Sequence, residues 1–155
     1  CNVVAVDTAP EKPEYVSELG SPDQLDTMLT KADFVVIALP LTDTTHHLIN
    51  AEKLSIMKDT GVIINIGRGP IIDEAALIAA LQEKQIAGAA LDVTEEEPLS
   101  LKSLLWDMDN VVITPHHSGI SERYMDRAID RFVLNLTAYL KGEQLPNLVD
   151  KEKGY

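Results

Sequence analysis

The sequence predicts an α/β domain built on a mostly parallel sheet, and three observations carry that expectation. Short apolar runs alternate along the chain with segments of helical spacing. The strand-like runs are continuously apolar, as in Phe34-Val35-Val36-Ile37-Ala38-Leu39, which predicts cover over both sheet faces. Three of the runs deliver a polar, reactive side chain just past their C-terminal ends: Arg68, Glu97 and His116. In an open parallel sheet those ends share one edge, where ligands bind. A cation, a carboxylate and an imidazole gathered there suit carbonyl chemistry.

The elements come in order along the chain. Residues 2–6 form a short apolar run ending at Asp7, and Pro10 and Pro13 break the stretch beyond it. Residues 21–31 read as a helix, with Ser21 as N-cap, Pro22 in the first helical position, and Leu25, Met28 and Leu29 on one face. Residues 33–39 are a buried strand stopped by Pro40. A short helix over 51–57 leads to a second buried strand over 61–66. Asp73 caps a helix running to Lys84, with Leu77, Ala80 and Leu81 at helical spacing. Residues 86–93 and 111–114 are two further strands. The longest helix covers 121–141, turns Met125, Ala128, Ile129, Phe132, Val133, Leu136 and Leu140 inward, and stops at Gly142.

Composition narrows the function classes. The 155 residues suffice for one domain with a real core, and 45% of them are hydrophobic. A net charge of −12 argues against nucleic acid or an anionic membrane surface as partner. The single cysteine, Cys1, excludes an internal disulfide and fits a reducing compartment. No apolar stretch approaches the roughly 20 residues of a membrane span, and no signal-peptide pattern opens the chain. The expectation is a soluble, cytoplasmic protein.

The opening residues carry a further signal. A dinucleotide-binding βαβ unit begins with a strand, a glycine-rich turn and a helix. Here the dense glycine turn is Gly67-Arg68-Gly69, without the GxGxxG spacing, and the chain opens at what reads as a second strand ending in Asp7. An acid there either binds adenosine ribose hydroxyls and disfavours a 2′-phosphate, or is a strand-end Asp in a turn.

With these segments in view, residues 2–147 resemble the C-terminal half of the D-isomer-specific 2-hydroxyacid dehydrogenases. The resemblance rests on four blocks in order: Asp33 to Thr42 (DFVVIALPLT), Asn65-Ile66-Gly67-Arg68-Gly69, Leu91-Asp92-Val93 with Glu97-Pro98, and Thr114-Pro115-His116. It implies a partial Rossmann-like, doubly wound parallel sheet with a long C-terminal helix. Residues 1–118 would be a partial NAD-binding domain lacking the first strand and glycine-rich turn. Residues 119–155 would be a helix and tail returning to a substrate domain. Such a chain is expected to be a front-truncated fragment, weak or inactive by itself.

The same resemblance implies roles. Arg68 would bind the substrate carboxylate and reacting oxygen, for which a planar guanidinium fork is suited. Gly67 and Gly69 would leave room for a ligand close to the backbone. His116 would be the general acid in reduction and the general base in oxidation, with Glu97 holding its imidazole charged and oriented. Cofactor contacts would come from Asp7, Pro40, Ile66, Gly67, Arg68, Asp92, His116 and Gly119, with Asp7 pointing to NAD and Asp92 holding the carboxamide. Asp92 also reads as a strand-end acid or cap. His117, His46 and His47 read as structural, and Glu95 and Glu96 as a solvated acidic turn. No metal is expected.

The activity implied is interconversion of a 2-keto acid and a D-2-hydroxy acid, such as hydroxypyruvate, glyoxylate or a phosphoglycerate-like substrate, in a homodimer. Two other classes stay open: a non-catalytic NAD-sensing, corepressor-like protein of the same fold, and an interaction module that dimerises. Formate dehydrogenases are a near relative in fold, but the acid at Glu97 departs from the Gln expected there.

Overall fold

The structure, a computed structural model, describes residues 1–8 and 11–151, so Pro10 and the final four residues of the expected tail lie outside it. Among the described residues there are six strands and four α-helices. They are β1 (Val4–Val6), β2 (Glu18–Gly20), α1 (Leu25–Leu29), β3 (Phe34–Ile37), α2 (Ala51–Ser55), β4 (Val62–Asn65), α3 (Glu74–Gln82), β5 (Gly88–Leu91), β6 (Val111–Ile113) and α4 (Tyr124–Lys141). Strands β3 to β6 form one parallel, Rossmann-like sheet in the order β3-β4-β5-β6. Strands β1 and β2 pair in parallel as a separate two-stranded sheet. Strand β2 was not expected: Glu18-Leu19-Gly20 is too short to show a period, and its pairing with β1 alone defines it.

Local chemistry explains the helix starts. Asp73 caps α3 by accepting a hydrogen bond from the Ala76 N–H at 3.0 Å, as the sequence predicts. Asn50 does the same for α2 through the Lys53 N–H. Pro22 opens a 3₁₀ turn, residues 22–24, ahead of α1, and the Ser21 N–H is held by the Gln24 side chain. Gly142 ends α4 in the left-handed conformation (φ 70°), donating to the Ala138 and Tyr139 carbonyls.

The register sets the core. Ile37, Asn65, Leu91 and Ile113 lie side by side across the sheet, with Val35, Ile63, Ala89 and Val111 one layer below. This face packs against Leu54 of α2 and Leu77, Ala80 and Leu81 of α3, all buried with Ile49, Ile71 and Ile72 from the connecting loops. Each fully buried aliphatic side chain contributes about 1.5–3 kcal/mol.

Two expectations fail here. The second sheet face is open, with Phe34, Val36 and Val112 exposed, although continuous apolar strands predict cover on both faces. The apolar stripe of α4 is not inward either. Met125, Ala128, Ile129, Phe132, Val133, Leu136 and Leu140 are exposed, and only Ala138 of that helix is buried. The helical period is intact, but none of the described elements lies along it. Among the described residues no helix is long and apolar enough to cross a membrane.

This difference is measurable. Leu77→Ala, at 1% exposure, should lower unfolding free energy by about 3 kcal/mol in urea titration. Leu136→Ala, at 42% exposure, should change it by less than about 0.5 kcal/mol.

Candidate active site

Parallel strands place the ends of β4, β5 and β6 on one edge, and each is followed by a turn with its own hydrogen-bonded frame. Beyond β4 the frame is Asn65. Its buried side chain accepts from the Gly67 N–H at 3.0 Å and donates to the Arg68 carbonyl at 2.9 Å, closing the turn that presents Arg68. Sequence reasoning gave Asn65 no role, though a lone amide ending an apolar strand is a visible signal.

The glycines of this turn do something other than expected. A Cβ on Gly67 would lie 2.7 Å from the Leu39 carbonyl oxygen, and one on Gly69 would run into that of Thr94. The space they leave is filled by the backbones after β3 and β5, not held open for a ligand. Arg68 itself is exposed. Its Nη1 donates to the Gly67 carbonyl at 2.7 Å, and no carboxylate among the described residues forms an ion pair with it. Ile66 is exposed beside it.

Beyond β6 the chain turns on Asp92, the residue just past β5. Asp92 is 5% exposed. Its Oδ1 accepts from Thr114 Oγ1 at 2.6 Å and the His117 N–H at 3.0 Å, and its Oδ2 accepts from the Ser118 N–H at 2.9 Å. Its backbone carbonyl accepts from the His116 N–H at 2.9 Å. Burial pushes the carboxyl pKa up, but the Thr114, Ser118 and His117 donors outweigh it and hold the group well below the usual carboxylate range. The carboxylate expected at a cofactor carboxamide is thus first of all the anchor of the loop carrying His116. His117 turns back on the same anchor, with Nδ1 3.3 Å from Oδ1, in keeping with a structural histidine.

His116 sits at φ 50°, a left-handed conformation that an L side chain adopts only under constraint. Its Nδ1 is 2.9 Å from Glu97 Oε2. An ionised carboxylate only accepts, so Nδ1–H is the donor and Nε2 is the nitrogen left for exchange. Glu97 is steadied by the Thr94 N–H on Oε1, at 3.3 Å. Of the predicted trio, His116 and Glu97 are in contact, and Arg68 stands on the adjoining strand end.

The other expected positions are more dispersed. Asp7 follows β1, off the four-stranded sheet, with its N–H donating to Gly20. Pro40 follows β3 and accepts from Thr45 Oγ1 through its carbonyl. Gly119 faces open space. Glu95 is exposed, as expected of a solvated turn, and it also has a partner: its Oε1 is 2.6 Å from His47 Nε2.

Comparison with known proteins gives several matches. The model of the D-isomer specific 2-hydroxyacid dehydrogenase NAD binding domain matches residues 1–118. A glyoxylate reductase of Thermofilum pendens is 50% identical over 128 residues, covering 83% of this chain and 38% of that protein. A D-isomer specific 2-hydroxyacid dehydrogenase of Xanthobacter autotrophicus, solved with NADPH and MES, superimposes with a TM-score of 0.89. It is 42% identical, over 97% of this chain and 61% of that one. An NADPH-dependent glyoxylate/hydroxypyruvate reductase of Sinorhizobium meliloti, solved with NADP and sulfate, gives a TM-score of 0.89 at 33% identity, over 99% and 49%. The chain spans half or less of the length of the curated relatives it matches.

The Asp92 anchor has a stability signature. Asp92→Asn puts an amide NH₂ against a loop N–H and should cost about 2 kcal/mol at neutral pH, read from urea midpoints. The folded pKa is depressed, so this advantage is present above the unfolded value and fades as pH falls below about 4. A gap between the two proteins that stays constant down to pH 2 would contradict the anchor.

Proposed function

The chain belongs to the D-isomer specific 2-hydroxyacid dehydrogenases, and from that premise we propose that it supplies the acid–base and carboxylate-binding residues of a nicotinamide-dependent 2-keto acid reductase. The observation that carries this reading is the His116 Nδ1–Glu97 Oε2 contact at 2.9 Å, on the sheet edge that also presents Arg68. Glyoxylate and hydroxypyruvate are the substrates favoured, because curated and solved relatives act on them.

The residues divide the work. Arg68 takes the substrate carboxylate in its guanidinium fork and stabilises negative charge growing on the reacting oxygen. His116, its Nδ1–H held by Glu97, delivers the Nε2 proton to that oxygen in reduction and removes it in oxidation. The bound nicotinamide supplies or accepts the hydride.

The described residues fit one part of such a cofactor. The exposed Ile66, the open surface at Gly119 and the Arg68 turn suit the nicotinamide end, and Asp7 suits an adenosine ribose. No glycine-rich strand–turn–helix for a pyrophosphate is present among them. Asp7 supports NAD over NADP, since a carboxylate repels a 2′-phosphate. The open second sheet face and the α4 stripe support weak turnover by this chain by itself.

Three outcomes test the reading. His116→Ala should cut keto-acid turnover by about 10²–10⁴-fold in steady-state assays while NADH affinity stays within about twofold. Arg68→Ala should chiefly raise the keto-acid KM, and unchanged kinetics would remove it from the site. Fluorescence titration should show NADH binding about tenfold or more tighter than NADPH, a gap of about 1.4 kcal/mol; the reverse order would overturn the Asp7 reading. NADH binding without turnover of any 2-keto acid would favour the sensing protein.

A further inference from the structure

His47 lies in the loop after β3, outside the catalytic trio, yet it shares the conformation of His116. It is one of three described non-glycine residues in the left-handed region, at φ 49°, with Lys84 after α3 and His116. Such backbone persists where its surroundings enforce it. On one side the His47 N–H donates to the Pro70 carbonyl at 2.8 Å. Ile49 and Asp73 continue this stitching through Ile49 N–H to Ile71 O and Asp73 N–H to Ile49 O, both at 3.0 Å. The loop is thereby sewn to the segment that follows Arg68.

On the other side the ring reaches across to the turn after β5. His47 Nε2–H donates to Glu95 Oε1 at 2.6 Å, a short, charge-assisted contact. Glu95 Oε2 accepts from the Glu74 N–H at 3.3 Å, and the Glu95 N–H donates to Glu74 Oε2 at 3.2 Å. Glu74 opens α3, four residues beyond Pro70, so the contacts close into a ring. That ring runs from the Arg68 turn through His47 to Glu95 and back through Glu74. Gly69 packs its backbone on Thr94 inside it. Glu97, two residues past Glu95, hangs from the same turn through the Thr94 N–H.

The chemistry of the ring explains why a histidine stands there. Burial, with Glu95 and Glu96 close by, pushes the Glu74 carboxyl above its usual range. His47 is the side-chain donor facing this acidic cluster, with His46 tilted against it at 4.0 Å between ring centroids. Without that donor, Glu95 Oε1 would turn to solvent and the link from the Glu95 turn to the His47 loop would be lost.

We propose that His47 and Glu95 are a positioning pair that holds the Arg68 turn and the Glu97 turn in mutual register, and so fixes which nitrogen of His116 carries its proton. This rests on the roles proposed for Arg68, Glu97 and His116. It assigns work to two residues that the reaction itself does not touch.

The test reads the His116 ring directly. Histidine-selective ¹⁵N spectra of this chain are recorded without substrate or cofactor, at a pH where the rings are neutral. The wild type should show His116 with Nδ1–H and a bare Nε2, the tautomer that Glu97 imposes. His47→Ala and Glu95→Ala should lose the Nδ1–H signal in favour of Nε2–H, with the other amide resonances in place. His47→Gln, which keeps a donor toward Glu95, should restore it. An unchanged His116 tautomer in both folded alanine variants overturns the proposal. If an alanine variant loses its dispersed spectrum, Glu95→Met keeps most of the volume and removes both acceptor oxygens, and an unchanged tautomer there is equally decisive against it. Because neither hydride nor keto acid enters the measurement, its failure leaves the proposed reaction standing, and absence of turnover leaves this pair standing.

Discussion

The row Ile37–Asn65–Leu91–Ile113, set by the parallel register of β3 to β6, is the constraint from which the site is built. Parallel strands begin their loops at one level, so Arg68, Asp92 and His116 all lie within three residues of that row. Asp92 then ties the row together. Its N–H donates to the Asn65 carbonyl at 3.0 Å, its carbonyl receives His116, and its carboxylate receives Thr114, His117 and Ser118. A carboxylate taking several donors in the interior is favourable only because each desolvated lone pair is matched. Removing the anchor would free the loop, and with it the imidazole.

Strain is the consequence of that arrangement. Left-handed backbone costs a side-chain-bearing residue about 1–2 kcal/mol, and the chain accepts that cost at His47 and His116. Each is held by a backbone hydrogen bond to a neighbouring loop, His116 to Asp92 and His47 to Pro70. Each then offers one ring nitrogen to a glutamate of the 95–97 turn. The turn after β5 is thus gripped at both ends by histidines from the loops after β3 and β6. A turn held this way keeps Glu97 in place without a packed core around it.

Much of this is legible in the sequence where the signal is local. Alternating apolar runs report the strands, Asp73 and Gly142 report helix ends, and the residues just past the strands report the site. What a local pattern does not encode is the partner. The α4 stripe has the right period for a buried face, but period says only which residues share a face, not what covers it. The His47–Glu95 contact spans 48 positions, so no spacing rule links the two. Glu95, exposed among three consecutive glutamates, gives no local sign that the fold brings a histidine to it. Gly67 and Gly69 read as ligand clearance because sequence cannot distinguish room for a ligand from room for another backbone.

Charge poses the last problem, and local pairing answers it. A protein of net charge −12 sets up a field that would oppose the anionic keto acid and dinucleotide of the proposed reaction at long range. Screening confines that opposition to within about 8 Å of the surface at physiological salt. In the proposed reaction, capture would therefore depend on what stands at the edge itself. There Asp92 has turned its charge onto loop donors, Glu97 onto His116, and Glu95 onto His47. Arg68 alone of this group forms no ion pair among the described residues, and it lies on an exposed turn. The hydrogen bonds that hold the loops in place also engage the charge of three carboxylates at this edge, and under the proposed reaction that leaves the Arg68 guanidinium to meet an anionic substrate.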